Sequence, residues 1–109
     1  MAVSNLKNNI SIIEQGTSGS WTYRKWNSGI YECWVRTGNG SSVTINFPIT
    51  FVEQPRILAT SGSSQPASTY GSVNVFTRGT STSKTDIHFE ANVSNVNIWA
   101  DVYVIGRWR

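Results

Sequence analysis

Residues 21–34 read WTYRKWNSGIYECW and hold three of the five tryptophans in the chain. Asn27-Ser28-Gly29, in the middle, is typical of a three-residue hairpin loop in which a type I turn is closed by a left-handed glycine. The stretch therefore predicts a β-hairpin. The loop also sets the register of the two strands, which pairs Trp26 with Ile30, Arg24 with Glu32 and Tyr23 with Cys33.

Both faces of this predicted hairpin carry aromatic side chains, because successive residues of a strand point to opposite faces. One face holds Thr22, Arg24, Trp26, Ile30, Glu32 and Trp34, and the other holds Trp21, Tyr23, Lys25, Tyr31, Cys33 and Val35. One aromatic face suits a hydrophobic core. The second needs a different cover, which we expect to be a neighbouring subunit or a ligand.

The composition of the whole chain favours strands over helices. Val and Ile occur ten times each but Leu only twice, and β-branched residues suit a pleated, half-buried surface. Charged residues make up 14% of the 109 residues, against about 25% in an ordinary soluble domain. Ser, Thr and Asn take their place with 15, 11 and 10 residues. A polar, weakly charged β-domain is the result.

Alternating stretches outside the hairpin predict further strands. In the clearest, Val43, Ile45, Phe47 and Ile49 alternate with polar residues, and Pro48 confines that strand to an edge or an end. Further strands are predicted at residues 56–60, 70–77, 84–91 and 96–105, with Thr85, Ile87, Phe89, Val96, Ile98, Ala100, Val102 and Val104 facing inward. No convincing helix is found. We therefore predict an all-β fold, a small antiparallel β-sandwich of about six to eight strands.

The start of the chain differs from the rest. Leu6, Ile10 and Ile13 have the spacing of a coiled-coil seam, although two turns are too short for an independent helix. The segment is either the end of a multi-chain stalk or an extended lead-in, and its β-branched residues favour the lead-in. Residues 15–20 (QGTSGS) predict a flexible joint. We expect residues 1–15 to be this lead-in or stalk and residues 16–109 a single head domain.

Several function classes lack support in the sequence. The net charge of +3 comes without a basic stripe, so we expect no nucleic-acid binding. No signal peptide or membrane span is evident, so no membrane insertion is expected. Cys33 is the single cysteine and is interpreted as a small buried hydrophobic residue. No catalytic motif occurs, and we predict no enzyme activity, no cofactor and no metal site.

Two clusters of polar residues are candidate sites. Asp86, His88 and Glu90 share the outward side of one strand, but one histidine and two carboxylates form no motif, so a solvated surface is favoured. Asp101 lies between Trp99 and Tyr103 on the outward side of the last strand, an arrangement common in saccharide sites. A buried aspartate satisfied by the backbone or by an arginine is nevertheless the favoured interpretation.

Three segments together resemble the C-terminal head domain of tail-fibre or minor structural proteins of siphophages and prophages of Gram-positive bacteria. They are the hairpin stretch, the preceding IIEQGTSGS and the closing Ile-Gly-Arg-Trp. A looser similarity, from Val43 to Trp108, is to the H-type lectins, which are trimeric sandwiches. Their sugar-contacting Trp-His pair is missing, because this chain has Asn92-Val93-Ser94-Asn95 there. That resemblance therefore implies only a fold and a trimeric state.

The tail-fibre resemblance implies a receptor-binding fibre tip of the virion that attaches to a host cell-surface polysaccharide outside the cell. The alternative is a structural trimerisation cap with no ligand. The chain is expected to be a homotrimer. We expect its subunit interface to contain Trp21, Arg24, Trp26, Glu32 and Trp34. The loop at residues 61–70 and nearby positions would supply the ligand-binding residues, for which we expect Gln65, Tyr70, Arg78, Trp99 and Asp101.

Overall fold

The chain folds into two antiparallel β-sheets packed face to face. The computed structural model describes residues 10–38, 42–63, 73–91 and 98–109. This part of the chain contains eight strands: β1 (Ile12–Ser18), β2 (Trp21–Trp26), β3 (Ile30–Gly38), β4 (Val43–Asn46), β5 (Arg56–Gly62), β6 (Val73–Arg78), β7 (Lys84–Ala91) and β8 (Trp99–Arg107). The predicted all-β sandwich is confirmed.

The strands divide unequally between the sheets. Five form one sheet in the order β1-β2-β3-β8-β5, and three form the other in the order β4-β7-β6. The longest ladder joins β3 to β8, from Ile30 opposite Arg107 to Gly38 opposite Trp99. Because β8 also pairs with β5, it lies inside the five-stranded sheet and brings residues far apart in sequence side by side.

The hairpin of β2 and β3 has the predicted register. Arg24 lies opposite Glu32 and Tyr23 opposite Cys33. Gly29 has a φ of 102°, and its N–H donates to the carbonyl of Trp26 at 3.1 Å, which closes the loop. The turn chemistry of Asn27-Ser28-Gly29 therefore fixes the pairing as expected.

The end of the chain closes over this hairpin turn. The Trp108 N–H donates to the carbonyl of Gly29 at 2.9 Å, and the Trp108 indole N–H donates to the carbonyl of Trp26 at 2.7 Å. The Lys25 ammonium lies 4.3 Å from the centre of the Trp108 ring. The two aromatic segments of the sequence are therefore neighbours in space.

The hydrophobic core lies between the two sheets. Its buried side chains come from both sheets, from the segment after β4 and from the residue just before β8; they are Trp21, Tyr31, Cys33, Phe47, Phe51, Ile87, Phe89, Ile98, Ala100, Val102 and Val104. Thr85 is also fully buried, and its hydroxyl lies 2.7 Å from that of Thr80. The residues predicted to face inward are confirmed wherever the structure describes them; Val96 lies outside the described residues.

Two predicted elements need correction. The joint expected at residues 15–20 is largely strand, because β1 continues to Ser18 and pairs with β2, with Thr17 opposite Thr22. β4 ends at Asn46, and Phe47 and Phe51 reach the core from the following segment. β4 does lie at a sheet edge, as Pro48 indicated. β1 crosses the expected boundary between residues 15 and 16, and that division stays a prediction.

Some boundaries shift by a few residues. β5 continues two residues beyond the predicted end, to Gly62, and β8 continues to Arg107. β6 begins at Val73, and the predicted start at residues 70–72 lies outside the described residues. The lead-in at residues 1–9 also lies outside them.

Candidate functional site

The outer face of the five-stranded sheet, turned away from the core, collects the polar and aromatic side chains of the central strands. On β8, Asp101 and Tyr103 alternate with the buried Ala100, Val102 and Val104. The register places Arg36 opposite Asp101 and Trp34 opposite Tyr103. On the other side of β8, Thr60 lies opposite Asp101 and Leu58 opposite Tyr103. Three strands thus contribute to one surface.

A cavity of about 390 Å³ opens on this face, and we call it the outer groove. Its lining includes Trp34, Arg36, Leu58, Thr60, Asp101 and Tyr103, with Ser20 and Thr22 at one side. Leu58, one of only two leucines in the chain, keeps 68% of its surface exposed. Leu58 thus gives the wall of the cavity an exposed apolar surface.

Two aromatic rings stand side by side in the groove. The rings of Trp34 and Tyr103 have their centres 6.4 Å apart and their planes inclined by 23°. The guanidinium of Arg24 lies 5.3 Å from the centre of the Trp34 ring. Such stacking restrains the rings and keeps their carbon surface in a fixed position.

Glu32 holds the neighbouring part of the outer face together. Its carboxylate accepts a hydrogen bond from the indole N–H of Trp26 at 2.9 Å and another from the hydroxyl of Tyr103. Arg24 lies 3.7 Å from the same carboxylate. Burial, followed by the hydrogen bond to Glu32, raises the pKa of Tyr103 to about 12. The phenol is therefore a neutral donor at physiological pH.

Arg36 and Asp101 form an ion pair at the other end of the groove. Arg36 Nε lies 2.8 Å from one carboxylate oxygen, and one of its terminal nitrogens lies 3.2 Å from the second. This two-point contact lowers the pKa of Asp101 and raises that of Arg36. The guanidinium also lies 4.6 Å from the centre of the Trp99 ring. Three side chains are thus held in one arrangement at the surface.

The predicted ligand-binding residues divide between three places. Trp99 and Asp101 lie together on the outer face. Arg78 lies on β6 of the other sheet, opposite Asp86. Gln65 and Tyr70 lie outside the described residues. The interpretation of Asp101 as buried is wrong, since half of its side chain is exposed, but its pairing with an arginine is confirmed.

The predicted interface residues lie mainly on the same outer face. Arg24, Trp26, Glu32 and Trp34 form a continuous row of contacts there. Trp21 instead lies in this chain's own core, where its indole N–H donates to the carbonyl of Asn46 at 3.0 Å. It therefore offers little surface to another subunit.

Sequence reasoning missed Arg36, Leu58 and Thr60 as members of a site. Each is an ordinary residue of its own strand, and only the cross-strand register brings it to the Asp101–Tyr103 segment. Leu58 could have been noticed in the sequence, because nearly all the other large aliphatic residues of the chain are Val or Ile. Its outward position in the alternating Arg56–Thr60 strand marks it as exposed.

The outer face of the three-stranded sheet carries a second group of polar side chains. Asp86 accepts a hydrogen bond from Thr44 at 2.6 Å, and His88 Nδ1 lies 2.6 Å from the Ser42 hydroxyl. Phe76 contacts the imidazole, with ring centres 4.8 Å apart. Within the described ranges, no group of three or more His, Cys, Asp or Glu side chains could hold a metal ion.

No helix in the described part of the chain is long and apolar enough to cross a membrane. No protein-family model matches the chain, and no curated protein matches it in sequence. Solved structures do match. An N-truncated R1-type pyocin tail fibre superposes with a TM-score of 0.65 and 19% sequence identity, over 96% of this chain and 93% of that chain. The chain has the fold of a pyocin tail fibre.

Two longer pyocin fibre structures show the same fold. An N-truncated R2-type pyocin tail fibre matches with a TM-score of 0.65 and 19% identity, over 97% of this chain and 41% of that chain. A C-terminal piece of the R2 pyocin fibre from P. aeruginosa matches with a TM-score of 0.63 and 19% identity, over 97% and 28%. The chain thus spans less than half of these longer fibre chains. The tail-fibre resemblance seen in the sequence is confirmed at the level of the fold.

Proposed function

We propose that this chain is the terminal domain of a phage-type tail fibre, and that it attaches the fibre to carbohydrate on the surface of a host cell. The observation that carries the proposal is the fold shared with a pyocin tail fibre over 96% of this chain. A structure of the C-terminal part of a pyocin fibre matches as well. A domain at the end of a fibre is placed where first contact with a cell occurs. The proposal assigns the chain to the virion tail, acting outside the host.

The surface chemistry of the outer face supports carbohydrate as the ligand class. Sugars present hydroxyl groups along their edges and C–H groups on their ring faces. The outer groove combines exposed carbon surface at Leu58 and the Tyr103 ring with the hydroxyl of Thr60 and an exposed ion pair. Small polar and aromatic side chains that converge on one cavity are typical of ligand sites.

The proposal includes a homotrimer, and one surface feature supports assembly. Ile10, Ile12 and Ile13, which we call the isoleucine patch, are all exposed at the start of β1. Ile10 also borders a second cavity, of about 300 Å³, formed with Trp26 and Ile30. Exposed apolar residues beside a half-buried tryptophan are suited to a contact between subunits.

The isoleucine patch also supports a second candidate function. A domain whose role is only to end and hold together a fibre needs an apolar contact between subunits and no ligand site. The two functions differ in one measurable property, which is binding of the isolated domain to cells.

The test uses the fluorescently labelled domain and a panel of bacterial strains. Cells are examined untreated, after mild periodate oxidation of surface sugars, and after protease digestion of surface proteins. We expect binding to at least one strain, lost after periodate and kept after protease. Binding that is lost after protease and kept after periodate would show a protein receptor. A domain that binds none of the strains would favour the structural cap.

A further inference from the structure

We propose that the outer groove is the receptor site, and that its ligand is an electrically neutral saccharide bound against Arg36, Asp101, Leu58 and Tyr103. The proposal rests on the proposed function and deepens it, because it names the site and the charge class of the sugar. Neither follows from the fold, since the matched fibres share only 19% of their residues with this chain.

The dimensions of the groove suit a short saccharide segment. Its volume of about 390 Å³ lies within the roughly 300–1,000 Å³ of sites that hold small molecules. The groove lies on the face of a sheet and not at a loop tip. Most of its walls are therefore side chains of β3, β8 and β5, whose relative positions the ladders fix.

The Arg36–Asp101 pair provides hydrogen bonds to sugar hydroxyls. A carboxylate accepts at about four lone-pair positions, and Arg36 occupies two of them. The remaining acceptor positions of Asp101 and remaining donors of Arg36 are accessible, because the two side chains are 51% and 61% exposed. An acceptor and a donor side by side match two adjacent hydroxyls of a pyranose ring. Trp99 restrains the guanidinium, so little order is lost on binding.

Leu58 and Tyr103 provide the apolar side of the site. They lie opposite each other on β5 and β8, and both line the groove. The Tyr103 hydroxyl is already committed as a donor to Glu32, so the ring is held in place and presents carbon. The C–H face of a sugar packs on such a surface, while its hydroxyl edge faces Asp101 and Thr60.

The balance of charge selects a neutral ligand. In the lining of the groove, the positive charge of Arg36 is matched by Asp101, and the neighbouring Arg24 is matched by Glu32. Arg56 lies on the same face but does not line the groove. A phosphorylated or carboxylated sugar that used the remaining donors of Arg36 would bring its own negative charge close to the Asp101 carboxylate, which repels it. A neutral saccharide leaves the ion pair intact.

The experiment measures binding of two sets of oligosaccharides to the full chain by amide chemical-shift changes in two-dimensional NMR. One set holds neutral oligomers of glucose, galactose, rhamnose and N-acetylhexosamines, and the other holds the corresponding glucuronate- and phosphate-bearing oligomers. We expect a neutral member to bind, with shifts confined to β3, β5 and β8. We expect the Asp101→Asn variant to bind it about ten- to a hundredfold more weakly, because hydrogen bonds to a charged acceptor are lost.

Asp86→Asn is the matched control, because Asp86 is also a hydrogen-bonded carboxylate in mid-strand but lies on the other sheet. A second pair, Leu58→Asn and Val52→Asn, compares two exposed apolar residues of which only Leu58 lines the groove. We expect Leu58→Asn to weaken binding and the Asp86 and Val52 variants to leave it unchanged. Unfolding curves establish that all four variants are folded.

The outcomes separate this inference from the proposed function. Binding to cells that is sensitive to periodate but unchanged in the Asp101 and Leu58 variants would overturn the groove and leave carbohydrate attachment standing. Binding only of the anionic oligosaccharides would overturn the neutral charge class. If the domain binds neither cells nor any oligosaccharide, the proposed function fails and this inference fails with it.

Discussion

The indole nitrogen of Trp26 lies 2.9 Å from a carboxylate oxygen of Glu32, which joins the end of β2 to the first part of β3 on the outer face. The same carboxylate accepts from Tyr103 on β8, so one side chain connects three adjacent strands. Its side chain is only 13% exposed. This contact explains how a hairpin can carry aromatics on both faces, because the outer ones are held by a polar centre.

Replacing Glu32 by Gln tests this centre. The amide keeps the shape but loses the charge, and its NH₂ group cannot accept the hydrogen bond that one carboxylate oxygen now receives. We expect the free energy of unfolding to fall by about 1–3 kcal/mol, measured by denaturant titration. Glu53→Gln, at an exposed position, is the control and should change little. Equal stability of the two variants would contradict a stabilising role for Glu32.

The raised pKa of Tyr103 predicts a loss of stability at alkaline pH. The pKa of Tyr103 is about 12 in the folded chain, against an ordinary value of 10.0. The folded state therefore binds the phenolic proton more tightly than the unfolded state does. The contribution of protonated Tyr103 to the stability of the fold is complete below about pH 10 and is lost as the pH rises through about 12. We expect the wild type to lose more stability across this range than Tyr103→Phe, measured as melting temperature against pH. Parallel curves for the two proteins would rule out the tyrosine as a cause.

Two glycines in turns differ both in backbone strain and in the space around the α-carbon. Gly29 has a φ of 102°, and a Cβ there would lie 2.9 Å from the side chain of Arg107 and 3.3 Å from the carbonyl oxygen of Arg109. Gly19 has a φ of 60°, and a Cβ there would meet nothing within 4 Å. We expect Gly19→Ala to cost about 1 kcal/mol of unfolding free energy and Gly29→Ala about 2–3 kcal/mol. A larger loss for Gly19→Ala would contradict the stronger constraint expected at Gly29.

The isoleucine patch predicts the oligomeric state. We expect light scattering behind size exclusion to give a native mass near three times 12.1 kDa. Changing Ile12 and Ile13 together to Ser should shift the mass toward the monomer, because two exposed apolar side chains leave the contact. Val52→Ser is the control, since Val52 is 58% exposed and Ile13 is 52% exposed. A monomeric wild type, or equal effects of the two changes, would contradict a trimer held by this patch.

The parts of the fold that follow from local chemistry could be predicted from the sequence. The hairpin register depends on Asn27-Ser28-Gly29 and on strict alternation, both of which lie within one short stretch. β1 could not be predicted, because its residues are exposed throughout and its pairing uses backbone groups that every residue has. The outer groove was equally hidden, since Arg36, Leu58 and Asp101 meet only through ladders between distant strands.

Cys33 lies in the middle of the core with no exposed surface, and burial raises the pKa of its thiol to about 12. The thiolate that reacts with oxidants and other thiols is therefore scarce and shielded. Because this is the single cysteine of the chain, no intrachain crosslink can form. These 109 residues therefore keep the same covalent connectivity in reducing and in oxidising surroundings.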